Sequence, residues 1–282
     1  VYSWLDLTIH ALRFLQLAFR KHFLFMNPHT SEGERLSKRV MQLRGCSRRE
    51  AEQYIEGGFV SVDGVVVEEP QFRVSTQTVT LDSHASLMNL SAITIIVNKP
   101  VGWLDGLQEA PGGRKPSPRN VRSLLDPKHH SAHDASGVRQ LKRHFHALEA
   151  SVPLESGASG LVVFTQDFRT QRKLVEDMAF MEHELVVDVR GEVFPDDLRP
   201  IERALKDDRL RLPFAKVSVG SATPERSKLR MAIKGAHPGL AAYLCELAKF
   251  EILALRRIRL GRVSLSDLDE GTWRYLAPGE KF

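Results

Sequence analysis

Residues 35–64, RLSKRVMQLRGCSRREAEQYIEGGFVSVDG, constrain the fold of this chain more than any other stretch. Leu36, Val40 and Leu43 recur at helical spacing, and Gly45 is placed to stop that helix. Ser47-Arg48-Arg49-Glu50 has the pattern of a capping box, in which hydroxyl and carboxylate satisfy each other's backbone donors. Ala51, Tyr54 and Ile55 then make the apolar stripe of a second helix, closed by Gly57-Gly58. Phe59 to Val62 reads as a strand, Asp63-Gly64 as a tight turn, and Val65 to Val67 as the return strand. Six Lys or Arg and no acid lie between Arg35 and Arg49, so this small helix–helix–hairpin unit carries a basic face suited to phosphates.

This segment resembles the S4 RNA-binding domain through Arg35, Leu36, Lys38, Ser47, Arg48, Arg49, Ala51, Ile55, Gly58, Val60 and Val62-Asp63-Gly64, over roughly residues 33–82. The resemblance implies RNA contacts from Arg35, Lys38, Ser47, Arg48 and Arg49. The alternative is a solvated basic helix pair with no partner.

A chain of 282 residues has room for two domains. Its 42% hydrophobic and 27% charged content is that of a globular protein rather than a disordered one, and a net charge of +5 suits a polyanionic partner without requiring one. Cys46 and Cys245 are too few for a disulfide framework and lack metal-ligand spacing, which makes a reducing compartment, the cytoplasm, the default. Residues 1–32 read as an amino-terminal extension. Asp6, His10, Arg13, Gln16, Arg20 and Lys21 interrupt its apolar run and argue against a membrane span. A transit peptide is one reading of it; an upstream extension before a natural start at Met26 is the favoured one.

Residues 83–91 read as a linker, and 92–282 as a second, larger domain. Ile93 to Val97 is an apolar run short enough for a buried strand, followed by a turn at Asn98-Lys99-Pro100-Val101-Gly102. Residues 105–147 read as a long mobile loop with one helix near 121–125. His129, His130, His133, His144 and His146 lie in it without carboxylate or Cys partners at ligand spacing, so no metal is expected. Strands are expected at 161–166, 185–190, 215–220, 228–234, 252–260 and 272–276, with helices at 168–180, 200–206 and from Pro238 to Leu247. Several strands follow one another directly, which indicates an α+β fold on a mixed, mostly antiparallel sheet.

The chemically informative stretch is Pro153-Leu154-Glu155-Ser156-Gly157-Ala158-Ser159-Gly160-Leu161, where one acid in a small-residue loop feeds a buried strand. A serine-hydrolase elbow is excluded, because no glycine follows Ser159 at the required spacing. Taken with Asn98-Lys99-Pro100-Val101-Gly102 and with Arg257-Ile258-Arg259-Leu260-Gly261 and Trp273-Arg274, this stretch resembles the RsuA-type ribosomal RNA pseudouridine synthases, which place an S4 domain before an α+β catalytic domain. That family's signature runs Gly-Arg-Leu-Asp and on to Gly-Leu, and its Asp is essential. Alignment puts Glu155 at the Asp position and Pro153 at the Arg position. Leu185 stands where the family has a Tyr, and Gly235 to Ala242 replaces an Asn-Arg-Gln-Ile-Arg-Arg run.

The resemblance implies isomerisation of uridine to pseudouridine in structured RNA, ribosomal RNA first and transfer RNA second. It implies Glu155 as the catalytic carboxylate, RNA contacts from Lys99, Arg257 and Arg259, and no cofactor. A protein that keeps the scaffold for RNA binding and ribosome assembly without catalysis is the competing reading. A monomer is the simpler expectation.

Overall fold

The computed structural model describes residues 33–87, 92–107 and 119–282, so the readings placed on 1–32 and on the centre of the 105–147 segment lie outside the described residues. The chain divides into two compact units, one on each side of residues 90 and 91. In the first, β1 (Glu34–Arg35) leads into helix α1 (Leu36–Arg44), which Gly45 ends in the left-handed conformation at φ 64°. Helix α2 (Arg48–Glu56) starts from the expected capping box: Glu50 N–H donates to Ser47 Oγ, and Ser47 N–H donates to the Glu50 carboxylate at 2.8 Å. Hydrogen bonding to the ionised form holds that carboxyl below the usual range.

Asp63 and Gly64, both at positive φ, turn strand β2 (Val60–Val62) into β3 (Val65–Val66). Strand β5 (Val79–Leu81) pairs β2 on its other side, and β4 (Arg73–Val74) pairs β1. Leu36, Val40, Ala51, Ile55, Val60, Val62, Val67 and Val74 form the core of this unit.

The second unit is built on one nine-stranded sheet. Its strands in chain order are β6 (Thr94–Lys99), β7 (Glu149–Ala150), β8 (Ser159–Thr165), β9 (Glu182–Arg190), β10 (Ala215–Ala222), β11 (Arg226–Lys234), β12 (Ile252–Leu260), β13 (Val263–Ser264) and β14 (Trp273–Tyr275). The main path runs β10-β11-β9-β12-β8-β6-β14. Every pairing is antiparallel except β8 with β12, which meet in parallel through Ser159–Arg256 and Gly160–Arg257. The mostly antiparallel α+β architecture is therefore as expected.

Burial follows the residue pattern. β8 reads as a continuous apolar run because both its faces are covered: Val162 and Phe164 enter one core, Leu161 and Val163 the other. β11 alternates instead, with Leu229, Met231 and Ile233 inside and Lys228, Arg230 and Lys234 outside. Helices α3 (Phe168–Glu176), α4 (Arg199–Lys206) and α5 (Leu240–Leu247) complete the unit.

Four expectations need correction. Asn98 and Lys99 are not turn residues but the end of β6, and both are fully buried. The helix expected over 168–180 ends at Glu176, and a separate 3-10 turn follows at Met178–Phe180. Helix α5 begins at Leu240 rather than Pro238, because Gly239 at φ +85° interrupts the backbone between them.

The fourth concerns the loop. Residues 119–147 contain the 3-10 turn at Val121–Leu124 and are held against β14 rather than free. Trp273 Nε1 donates to the Asp126 carbonyl at 2.8 Å, the Asp134 carboxylate accepts from the Tyr275 amide at 2.9 Å, and His144 Nδ1 lies 2.8 Å from the Tyr275 hydroxyl. His129, His130 and His144 thus serve as hydrogen-bonding and packing groups. Burial brings His144 down to about 4.

Candidate active site

Two short loops face each other across a cavity of about 270 Å³ lined by Leu104, Asp105, Gly106, Leu107, Asn120, Leu154, Glu155 and Ser156. One loop, 100–107, follows β6; the other, 151–158, precedes β8. Since β6 and β8 are antiparallel neighbours, pairing Lys99 with Gly160, the loops leave the sheet at the same end.

Backbone and side-chain bonds tie the loops together. Gly102 N–H donates to the Ser156 carbonyl at 2.7 Å. The Lys99 ammonium, with no exposed surface, donates to the Trp103 carbonyl at 2.8 Å and the Ala158 carbonyl at 2.5 Å, with those of Pro100 at 3.2 Å and Ser156 at 3.5 Å. Burial lowers its pKa to about 8, with the Arg257 charge acting in the same direction, while the carboxylates of Asp105 and Glu155 pull it back up. Asp105 Oδ2 accepts from the Leu154 amide at 2.9 Å and its Oδ1 from the Leu107 amide at 3.2 Å, so this side chain pins both walls.

Arg257 enters from β12. It is 1% exposed, and its guanidinium donates to the carbonyls of Leu161 at 2.7 Å, Pro153 at 2.8 Å and Val152 at 3.3 Å. Burial brings it down to about 10, against the opposing pull of the Glu155 and Asp105 charges. Gly160 allows this approach: at φ +107° it sits so close to Arg257 that an added Cβ would lie 2.8 Å from the Arg257 nitrogen, and closer still to its oxygen.

Glu155 itself is half-buried and lines the cavity, and among the described residues its carboxylate has no hydrogen-bond or ion-pair partner. Lys99, Arg257 and Asp105 are all engaged with backbone groups, whereas the Glu155 carboxylate lines the cavity without such a bond.

Glu155, Lys99 and Arg257 are thus brought together, and the RNA contacts expected of Lys99 and Arg257 find no support in that placement. Both cations are inside the protein with their donors directed at carbonyls, so they shape the loop and do not present themselves to a phosphate. Arg259, two residues on, is partly exposed and donates to Glu182 at 2.6 Å and Glu184 at 3.1 Å, away from this group. Leu185, on β9, is a core residue packed with Val187 and Val189. Asp105 escaped sequence reasoning. Its only local signal was the Asp105-Gly106 turn dipeptide, and its partner Leu154 is 49 residues away.

In the first unit, Gly33, Glu34, Arg35, Ser37, Lys38, Met41, Arg48 and Arg73 line a groove of about 610 Å³. Arg35, Lys38 and Arg48 therefore share one exposed basic surface. Arg49 lies outside that lining, and the Ser47 hydroxyl is committed to the cap of α2.

Residues 34–79 match the S4 domain family, and the helix pair and hairpin described above fall within the matched residues. Over nearly its whole length the chain is also similar to RNA pseudouridine synthases. An uncharacterized RNA pseudouridine synthase of Mycobacterium tuberculosis is 27% identical over 250 residues, covering 88% of this chain and 91% of its own. Ribosomal large subunit pseudouridine synthase B of Pseudomonas aeruginosa is 28% identical, covering 88% of this chain and 61% of its own. Among solved structures, a pseudouridylate synthase aligns over 86% of this chain and 96% of its own at 16% identity, with a TM-score of 0.48.

Proposed function

We propose that the chain isomerises uridine to pseudouridine in structured RNA, with ribosomal RNA as the substrate class and Glu155 as the reacting carboxylate. The observation that carries this reading is a single partnerless acid in a cavity whose walls are otherwise bonded to themselves. The target nucleotide is flipped out of its helix into the cavity. Glu155 acts at the ribose as the bond from C1′ to N1 breaks; the base rotates, C1′ bonds to C5, and the C5 proton is lost while N1 gains one. Atoms and charge balance without any external cofactor.

Glu155 is one methylene longer than the aspartate of the resembling family. A displacement of about 1 Å in a reacting group can cost roughly a hundredfold in rate. Here the loop that carries it is set by this chain's own bonds from Asp105, Lys99 and Arg257, so the carboxylate position follows from that loop path. The S4 groove with Arg35, Lys38 and Arg48 supplies sequence-independent affinity for the phosphate backbone. On the ground of a ribosomal RNA substrate, we place the protein in the cytoplasm; no described helix is long and apolar enough to cross a membrane.

The test is incubation with unmodified ribosomal RNA followed by chemical mapping of pseudouridine. New pseudouridine with the parent and none with Glu155→Gln, at unchanged RNA affinity, is the expected result. Binding without any new pseudouridine would leave an RNA-binding assembly factor in place of an enzyme. The replacement of the family Arg and Tyr by Pro153 and Leu185 is the observation that favours that second reading.

A further inference from the structure

The outer face of the β10-β11-β9-β12 half of the sheet has no role in the chemistry above. The registers place Lys216 of β10 and Lys228, Arg230 and Lys234 of β11 on it, with Glu182, Glu184 and Asp188 of β9 and Arg256 and Arg259 of β12. All three acids are taken. Glu184 is held by Arg230 and Arg259, Glu182 by Arg259, and Asp188 by Arg226. Lys216, Lys228, Lys234 and Arg256 remain exposed and outside every ion pair among the described residues. The face therefore holds surplus positive charge that the protein does not neutralise.

An aromatic ring stands at its margin. Phe214 directly precedes β10, is 52% exposed, and accepts the Lys234 amide on its carbonyl at 3.0 Å, which sets it opposite Lys234. The ammonium groups of Lys234 and Lys216 lie 5.2 and 5.8 Å from its ring centroid. Beside it a groove of about 740 Å³ runs between β10 and α4, lined by Ile201, Leu205, Leu212, Phe214 and Lys216 among others. An exposed ring flanked by two unpaired cations, beside an open groove, matches the chemistry of an unpaired nucleotide: the base stacks on the ring and the phosphates meet the cations. A protein strand added to the free edge of β10 would use main-chain hydrogen bonds and would leave the cations unexplained.

We propose that this face is a second RNA-contact surface, on which a single-stranded segment stacks a base on Phe214 and lays its backbone along Lys216, Lys234, Lys228 and Arg256. The proposal rests on RNA being the substrate, but not on turnover. It is tested by fluorescence anisotropy with the full chain, using a single-stranded oligouridylate and unmodified ribosomal RNA transcripts over a range of salt.

Phe214→Ala is expected to weaken oligouridylate binding roughly five- to a hundredfold, and Phe214→Trp to preserve it. Lys216→Ala with Lys234→Ala should flatten the salt slope by about 1.4, near 0.7 per cation on a single strand. In the parent background these variants should raise KM for ribosomal RNA and leave kcat unchanged. Affinity and salt slope equal to the parent in both variants would overturn the proposal, as would capture of a protein strand that Phe214→Ala does not weaken. Glu155→Gln serves as the control: an inactive parent would fail the uridine-isomerising reading, while the binding series would still decide whether this face meets RNA.

Discussion

Gly160→Ala joins stability to function at one backbone position. Gly160 holds φ +107°, where an L side chain is strained at about 1–3 kcal/mol. An added Cβ would also lie 2.8 Å from the Arg257 nitrogen and closer to its oxygen, against backbone that cannot swing away like the end of a side chain. Overpacking of this kind costs about 1–3 kcal/mol more, so a loss of about 2–6 kcal/mol is expected. The strain falls on the only parallel pairing among the described strands, which rests on Ser159–Arg256 and Gly160–Arg257. Relief requires Arg257 to retreat, and its guanidinium holds the carbonyls of Val152, Pro153 and Leu161 around Glu155. A shift of about 1 Å there should lower turnover roughly a hundredfold even in the folded fraction. Guanidinium denaturation followed by tryptophan fluorescence reads the first effect, with Trp103 and Trp273 both in the second unit. Pseudouridine mapping at a temperature where the variant is folded reads the second. A variant with the parent's denaturation midpoint and the parent's rate would refute the argument that this close approach sets the loop.

Replacing Arg35 and Arg48 together by Ala should weaken RNA binding and flatten its salt slope by about 1.8 on a duplex, near 0.9 per cation; anisotropy at stepped salt checks this, and an unchanged slope would remove the groove from the phosphate contacts. Acid should destabilise the second unit through His144 and His183. Burial lowers their folded values to about 4 and about 3, so below the ordinary 6.5 the unfolded chain binds protons that the folded one refuses. Stability is then full above pH 6.5 and falls towards pH 3–4, by about 1.4 kcal/mol per pH unit for each histidine. Denaturation midpoints between pH 7 and 4 test the sign, and His144→Asn should make the decline shallower.

Much of the fold was legible because its signals are local. Ser47 and Glu50 mark a helix start three residues apart, and Asp63-Gly64 forces a hairpin within its own span. The site was less legible because its bonds join distant segments. Asp105 meets Leu154 across 49 residues, and nothing local distinguishes it from any loop aspartate. Strand alternation shows that Arg257 and its neighbours Arg256 and Ile258 cannot share one face, but only the pairing with Leu185 and Gly160 puts Arg257 inside. Lys99 looked like a surface lysine in a turn because lysine is so seldom buried. The 119–147 segment looked mobile because its anchors, Trp273 and Tyr275, lie at the far end of the chain.

The two interior cations have a consequence beyond holding a loop. The carboxylates of Glu155 and Asp105 oppose the buried charges of both Lys99 and Arg257, and Glu270 adds a further negative charge near Lys99. On the proposed chemistry Glu155 gives up its negative charge at the ribose, so one of the charges opposing the two cations is lost. The base, released with the electron pair of its glycosidic bond, is then the anion that replaces it. On the proposed chemistry, the detached uracil is thus retained by electrostatics while it turns, through a field that exists only during the interval in which the base is free.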